Sequence, residues 1–350
     1  YDSTVFTGDA VGYEEGTNID VLGKTTEEFK SGEVAYLLSQ GCTIDPDASV
    51  EGDEVSYNGE IWGQTIGEDT YPVLGGDKVY QCESECSGTF YSNTEGDVQA
   101  HAYVNGFCTN CTDGYQPAAD ANEDGVYEIA NGGQLYWFME HVNAGNSEAD
   151  AILTADIIVN ENVLKADGTL NGDGSNFREW FPIGYYYDRD GDDYYENVYY
   201  TGTFDGQNHT ISGLYFDNAE QSYVGLFGQI NSSAEICNVK VADSYFNADH
   251  YIGGVCGLNS SGTITNCTYN GSMNGSDYVG GVCGYNNQGT ITNCTNSGSV
   301  TGSSDYVGGV SSYNNHGTIT NCTNSGSVTG NSNVGGVCGY NNQGTITNCT

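Results

Sequence analysis

The sequence predicts an all-β fold: a right-handed parallel β-helix of about 27–28 residues per coil, with short capping helices and a small Cys-rich region ahead of it. Three observations carry that expectation. The first is repetition. Residues 251–350 write one sentence almost four times: YIGGVCGLNSSGTITNCTYNGSMNGSD from Tyr251, YVGGVCGYNNQGTITNCTNSGSVTGSSD from Tyr278, YVGGVSSYNNHGTITNCTNSGSVTGNSN from Tyr306 and VGGVCGYNNQGTITNCT from Val334. Ile252, Val279, Val307 and Val334 mark the register at steps of 27, 28 and 27 residues, a period that means units resting on their neighbours. The second is composition, because Gly, Asn, Ser and Thr at this density favour turns and caps over helix interiors. The third is that each copy holds three short β-prone pieces, GTITNC, GSVTG and YVGGV, divided by Asn- and Gly-rich corners.

Three strands and three corners describe one coil, with Ile264, Ile291, Ile319 and Ile346 stacked inside. Successive coils then lie about 4.8 Å apart, the distance between hydrogen-bonded strands. At that spacing Asn266, Asn293, Asn321 and Asn348 are placed to form a ladder of side-chain amides. Cys267, Cys294, Cys322 and Cys349 form a second column, and Cys256, Cys283 and Cys338 a third, broken by Ser311. The break leaves a per-coil disulfide without its partner, which favours small buried packing groups over disulfides.

The GGVCG and GTITNCT segments, over residues 223–350, resemble the GLUG-motif repeat of bacterial cell-surface proteins, a group that includes the non-catalytic part of some immunoglobulin A peptidases. TGTFDGQNHTISGLYF, from Thr201, resembles the segment that introduces such arrays, and YVGLFGQINSSAEICNVKV, from Tyr223, is a divergent first copy with Phe227 in place of Val255. The resemblance implies an extracellular solenoid, secreted or on the cell surface, and brings no catalytic residue. On it, residues 1–80 close a preceding β-helix, and residues 81–116 form a Cys-rich module or linker. Residues 117–350 form the β-helix, with GLUG-like repeats from about residue 223. Both ends look cut, as in an internal fragment of a longer protein.

Charge narrows the partners. The net charge is −40, with seven Lys and Arg against 47 Asp and Glu. So few cations make nucleic acid and anionic membranes poor partners, and no nucleic-acid partner is expected. No apolar run is long enough for membrane insertion. All seven basic residues precede residue 251, and Asp277 and Asp305 are the only charged residues after it.

Taken in order, TEEFKSGEVAYLLSQG places Phe29, Val34, Leu37 and Leu38 on one helical face after a capping box at Thr25. Trp62, Ile66, Tyr71, Val73 and Leu74 are expected in a core. Cys82, Cys86, Cys108 and Cys111 form two close pairs suited to zinc or to disulfides, with His101 a spare ligand and Cys42 unassigned. Asp120, Asn122, Asp124 and Glu128, with Gly125 at the sharp turn, reproduce the opening of an EF-hand-type calcium loop. Its twelfth position is Asn131 rather than Glu, and an Asp/Asn turn before a strand explains the same residues. GQLYWFMEHVN, from Gly133, predicts a helix with Leu135, Phe138, Met139 and Val142 buried, laid across the open end of the solenoid near residue 127. Asp188, Asp190 and Asp192 have the form of a second cation loop, flanked by tyrosines able to stack on sugars or to serve as strand residues.

Parallel β-helices serve as polysaccharide lyases and hydrolases, so a carbohydrate-active enzyme is the alternative function. Asp249, Asp277 and Asp305 precede the register tyrosines and, stacked about 5 Å apart, could supply a glycosidase pair. Against this, the three belong to the repeat rather than depart from it, and no Lys or Arg follows Lys240. No G-x-S-x-G, H-E-x-x-H or P-loop motif occurs. The sequence therefore points to a non-enzymatic extracellular adhesin, scaffold or display stalk. Its expected partners are glycans or surface proteins of a host or neighbouring cell, with self-association into filaments as a variant.

Overall fold

Parallel pairing of successive segments builds the chain from Val126 to Thr347. The computed structural model describes residues 26–36, 62–74, 77–84, 89–95, 97–110, 114–187 and 196–350. They fall into two units, Tyr1–Ala102 with Cys108–Gly114, and Tyr103–Phe107 with Tyr115–Thr350. Among the described residues no helix is long and apolar enough to cross a membrane.

In the first unit, helix α1 (Thr26–Lys30) buries Phe29 against Tyr71, ring centroids 5.2 Å apart. The expected single helix stops there, because Gly32 takes a left-handed φ of +88° and the chain turns before becoming helical again at residues 33–36. Tyr71, expected in a core, is 45% exposed and meets Phe29 edge-on. Strands Tyr80–Ser84 and Thr89–Ser92 pair antiparallel, with Val98–Gln99 parallel to the first.

The second unit is the solenoid. The first strand of its parallel sheets, Val126–Ile129, leads into helix α2 (Gly132–Asn143). Asn131 caps that helix by accepting from the Gln134 N–H at 3.0 Å. Leu135, Phe138, Met139 and Val142 are buried as the 3.6-residue period requires. Each full coil then contributes to four parallel sheets rather than three. The TIT segments form an eight-stranded sheet running from Val126–Ile129 to Thr345–Thr347. The T-N and S-V-T-G segments belong to a nine-stranded sheet, the C-G-Y-N-N segments to a five-stranded sheet and the D-Y-V-G segments to a four-stranded one.

The fourth strand is the segment that composition assigns to a corner. Its asparagines point inward and are satisfied there. Asn259 donates to Asn286 at 2.9 Å, Asn286 to Asn314 at 2.8 Å and Asn314 to Asn341 at 2.8 Å. Each amide also donates to a glycine carbonyl of its own coil, at Gly262, Gly289 and Gly317. Asn259, Asn286 and Asn314 are fully buried. Self-stacking converts a turn-former into a core residue, since a buried amide is tolerated when its hydrogen bonds are made. The glycine pairs in each G-G-V make the bend before this strand: a Cβ on Gly280 would collide with the Cys283 carbonyl.

The apolar columns follow the register. Ile236, Ile264, Ile291, Ile319 and Ile346 pair in sequence, buried except for Ile346 in the last described coil. Earlier coils carry larger groups, Phe204 above Ile236 and Phe227 above Cys256. That last pair corrects the first-copy alignment. Val224 bridges to Ile252 but Phe227 pairs with Cys256, so the divergent copy is one residue shorter and Phe227 replaces Cys256, not Val255.

The described cysteines are free thiols. Cys267, Cys294 and Cys322 are fully buried, and hydrogen bonding within the column together with burial pushes the Cys294 and Cys322 thiols well up. Ser311 fills the gap in the other column by donating to the Tyr313 carbonyl at 3.2 Å, as the Cys283 thiol does to Tyr285 at 3.4 Å.

Replacing Asn286 by Ala removes the acceptor of Asn259 and the donor to Asn314. Denaturant unfolding is expected to show a loss of about 2 kcal/mol, within the range for stranding a buried polar partner. A loss below about 0.5 kcal/mol would mean that the ladder does not hold the coils together.

Candidate functional site

The repeat places tyrosines where few side chains go. Tyr223, Tyr251, Tyr278 and Tyr306 have φ of +64°, +58°, +56° and +58°, and Asn333 holds the same place in the next coil at +50°. Left-handed backbone costs an L-residue about 1–2 kcal/mol, least for Asn. Ring stacking offsets that cost. Tyr223 lies 4.7 Å from Tyr251, Tyr251 4.8 Å from Tyr278 and Tyr278 5.0 Å from Tyr306, with interplanar angles of 14°, 10° and 16°. A second column rises beside it from the C-G-Y-N-N strands, with Tyr285–Tyr313 at 4.9 Å and Tyr313–Tyr340 at 5.1 Å. The columns meet edge to face, as Tyr278–Tyr285 at 5.5 Å and Tyr306–Tyr313 at 5.2 Å.

This double ladder is half-buried, with Tyr340 exposed. Stacking covers the ring faces between neighbours, so the partial exposure of these residues falls mainly to ring edges and hydroxyls not taken up by the contact between columns. Burial first, and the neighbouring tyrosines second, push Tyr223 and Tyr278 up to about 12. Tyr223 and Tyr278 are therefore neutral at physiological pH, and a phenol hydroxyl can both donate and accept hydrogen bonds.

The carboxylate column is not built as the sequence suggests. Asp277 pairs with His250, not Asp249, so Asp249 stands one residue out of register. His250 Nδ1 is 2.8 Å from Asp249 and its Nε2 is 3.6 Å from Asp277. The other Asp277 oxygen accepts from the Asp305 N–H at 2.6 Å, and Asp305 accepts from the Ser332 hydroxyl. These groups are tied into the coil rather than aimed at a substrate.

In the proposed calcium loop, Asp120 accepts from the N–H groups of Asp124 and Gly125, at 3.0 and 2.9 Å, and Asp124 accepts from that of Val126 at 3.0 Å. The Asn122 amide donates to Asp124 at 2.9 Å. The Glu128 N–H bonds the Ala119 carbonyl at 2.7 Å, which closes the turn onto the strand. Asp188, Asp190 and Asp192 lie outside the described residues, as do Cys86 and Cys111. Cys108 comes within 3.2 Å of His101 Nδ1, while the Cys82 thiol faces the carbonyls of Tyr80 and Thr94. Among the described residues no three His, Cys, Asp or Glu side chains converge into a metal-holding group.

The expected amide ladder is present on the exposed edge of the TIT sheet. Asn266, Asn293, Asn321 and Asn348 each donate to the coil before, at 3.0 to 3.3 Å. All four have φ near +55°. Sequence reasoning missed the tyrosine columns as a unit, although the spacing of Tyr223, Tyr251, Tyr278 and Tyr306 shows them at 28, 27 and 28 residues.

Because the fold favours the neutral phenol at Tyr223 and Tyr278, the stability due to these two is complete below pH ~10, the free-tyrosine value, and is lost as pH rises from there through about 12. Phenolate absorbance should therefore show tyrosines that ionise only near pH 12, together with loss of the β signal in circular dichroism. Titration of every tyrosine near pH ~10 with the fold intact would contradict the buried stack.

Comparison with known proteins places the repeat. The family model described as the GLUG motif matches residues 275–301, the span of one coil. Halomucin of Haloquadratum walsbyi is 36% identical over 76 residues, covering 22% of this chain and 1% of that protein. The chain thus spans about one hundredth of the length of that curated relative. A crystal structure of a Bacteroides ovatus protein assigned as an immunoglobulin A1 protease aligns over 66% of each chain, at 20% identity and a TM-score of 0.43. The chain is a parallel β-solenoid that carries the GLUG repeat.

Proposed function

We propose that this chain is a non-enzymatic extracellular segment that binds glycan chains along its tyrosine ladder, in adhesion or surface display. The observation that carries the reading is the ladder itself. Seven tyrosines from successive coils present hydroxyls and apolar ring edges at one repeat distance. A polyhydroxylated chain laid along the rod can match that repeat with many weak contacts, which multiply through effective concentration. The face carries little charge, so recognition there depends on hydrogen bonds and apolar contact. The GLUG repeat supports the extracellular setting.

The alternative, a glycoside hydrolase or lyase, would need a free acid and base. The aspartates best placed for that role engage the backbone, His250 and Ser332.

The test is a glycan array probed with the chain, followed by calorimetry on the best ligand. Tyr278→Asn with Tyr306→Asn puts in both positions the residue that the protein itself uses at 333. The double variant should keep its melting temperature within a few degrees and lose about tenfold or more in affinity. Undiminished binding would remove the ladder from the function, and release of shorter sugars would favour the enzyme.

A further inference from the structure

The tyrosine column begins beside a cavity. Tyr223 stacks on Tyr251 in the next coil, while Tyr186 meets it edge-on, 5.4 Å away at 68°. Around this point Phe181, Tyr185, Tyr186, Phe216, Tyr223 and Glu179 enclose a pocket of about 240 Å³. That is smaller than the roughly 300–1,000 Å³ of sites for drug-sized ligands, and it suits one ring rather than a chain. Aromatic walls with amides at the side, from Asn218 and Gln221, provide apolar contact and orienting hydrogen bonds together.

The pocket also has a sign. None of the described residues that line it is basic. Glu179 keeps contact with solvent, yet packing around its carboxyl and then the Asp217 charge hold its pKa above the usual range. A second negative group brought here would meet repulsion, and a cation would find a carboxylate and aromatic rings together.

We infer that this pocket receives the terminal sugar unit of the glycan bound along the ladder and selects it by charge, favouring an amino sugar and rejecting a carboxylated one. The inference rests on the ladder reading for the remainder of the glycan. The specificity comes from Glu179 and the aromatic walls, whereas the ladder supplies affinity that is indifferent to the terminal unit. Glu179 acts here as a binding residue, and no bond is made or broken.

The test uses the whole chain and three oligosaccharides alike except for the terminal unit: glucosamine, N-acetylglucosamine or glucuronate. Calorimetry should rank them in that order, with the glucuronate-ended ligand at least about tenfold weaker than the glucosamine-ended one. Glu179→Gln, an isosteric change at an exposed position, should bring those two to within about threefold while the melting temperature holds. The ladder variant should weaken all three alike. Equal affinities for the three ligands, lowered together by the ladder variant, would overturn the pocket inference and leave the ladder standing. A preference that survives Glu179→Gln would also overturn it. Failure of all three to bind would overturn both readings.

Discussion

Parallel coils can rise by only one distance, about 4.8 Å, and every side chain that repeats must tolerate a copy of itself at that distance. Most features of this chain follow from that constraint. Isoleucine stacks on isoleucine, amide bonds amide and phenol ring lies on phenol ring at 4.7 to 5.0 Å. Like charges fail the condition. Two unit charges about 4 Å apart repel by roughly 1 kcal/mol even in water, and by more near a protein surface. The near-identical copies from Tyr251 onward accordingly hold Asp277 and Asp305 as their only charges, and each has a donor built beside it. The acidic residues gather earlier in the chain, where segments do not repeat and carboxylates need not stack.

How far the sequence shows this depends on whether a feature is a matter of period or of environment. The isoleucine column, the exposed amide ladder and the helix at Gly132–Asn143 were legible, because a 27- or 28-residue step and a 3.6-residue stripe can be counted. The C-G-Y-N-N strand was not, because asparagine is ordinarily a turn residue and only the next coil makes it a satisfied core group. The aspartate column was misplaced for a related reason. His250 takes the register position beside Asp277, so Asp249 stands two residues before Tyr251 where Asp277 and Asp305 stand one before theirs, an offset that the equal 28-residue steps between the aspartates hide. The candidate site was half legible. Its tyrosines are periodic, but their left-handed backbone and the cavity beside Tyr223 are products of packing.

The strained tyrosine position connects fold to function. Asparagine at the same register place in the fifth coil shows that the backbone does not require an aromatic ring there. Tyrosine recurs at four consecutive coils against its own backbone preference, and the stack it forms is half open to solvent. A residue kept where a better-tolerated one would fold points to a role beyond folding. The ladder also explains why the pocket lies where it does. A column of rings must start somewhere, and among the described residues its first member, Tyr223, is met edge-on by Tyr186 rather than stacked from the coil before.

The central claim is that each coil is an interchangeable unit held by self-stacking ladders. It is tested most directly by removing residues 279–306, which joins Tyr278 to Val307 and restores the repeat, and then following denaturant unfolding. The account predicts one cooperative transition with a denaturant dependence reduced by about one coil's share of buried surface. Loss of the cooperative transition, or a chain that no longer folds, would show that the coils depend on more than their neighbours and would contradict it.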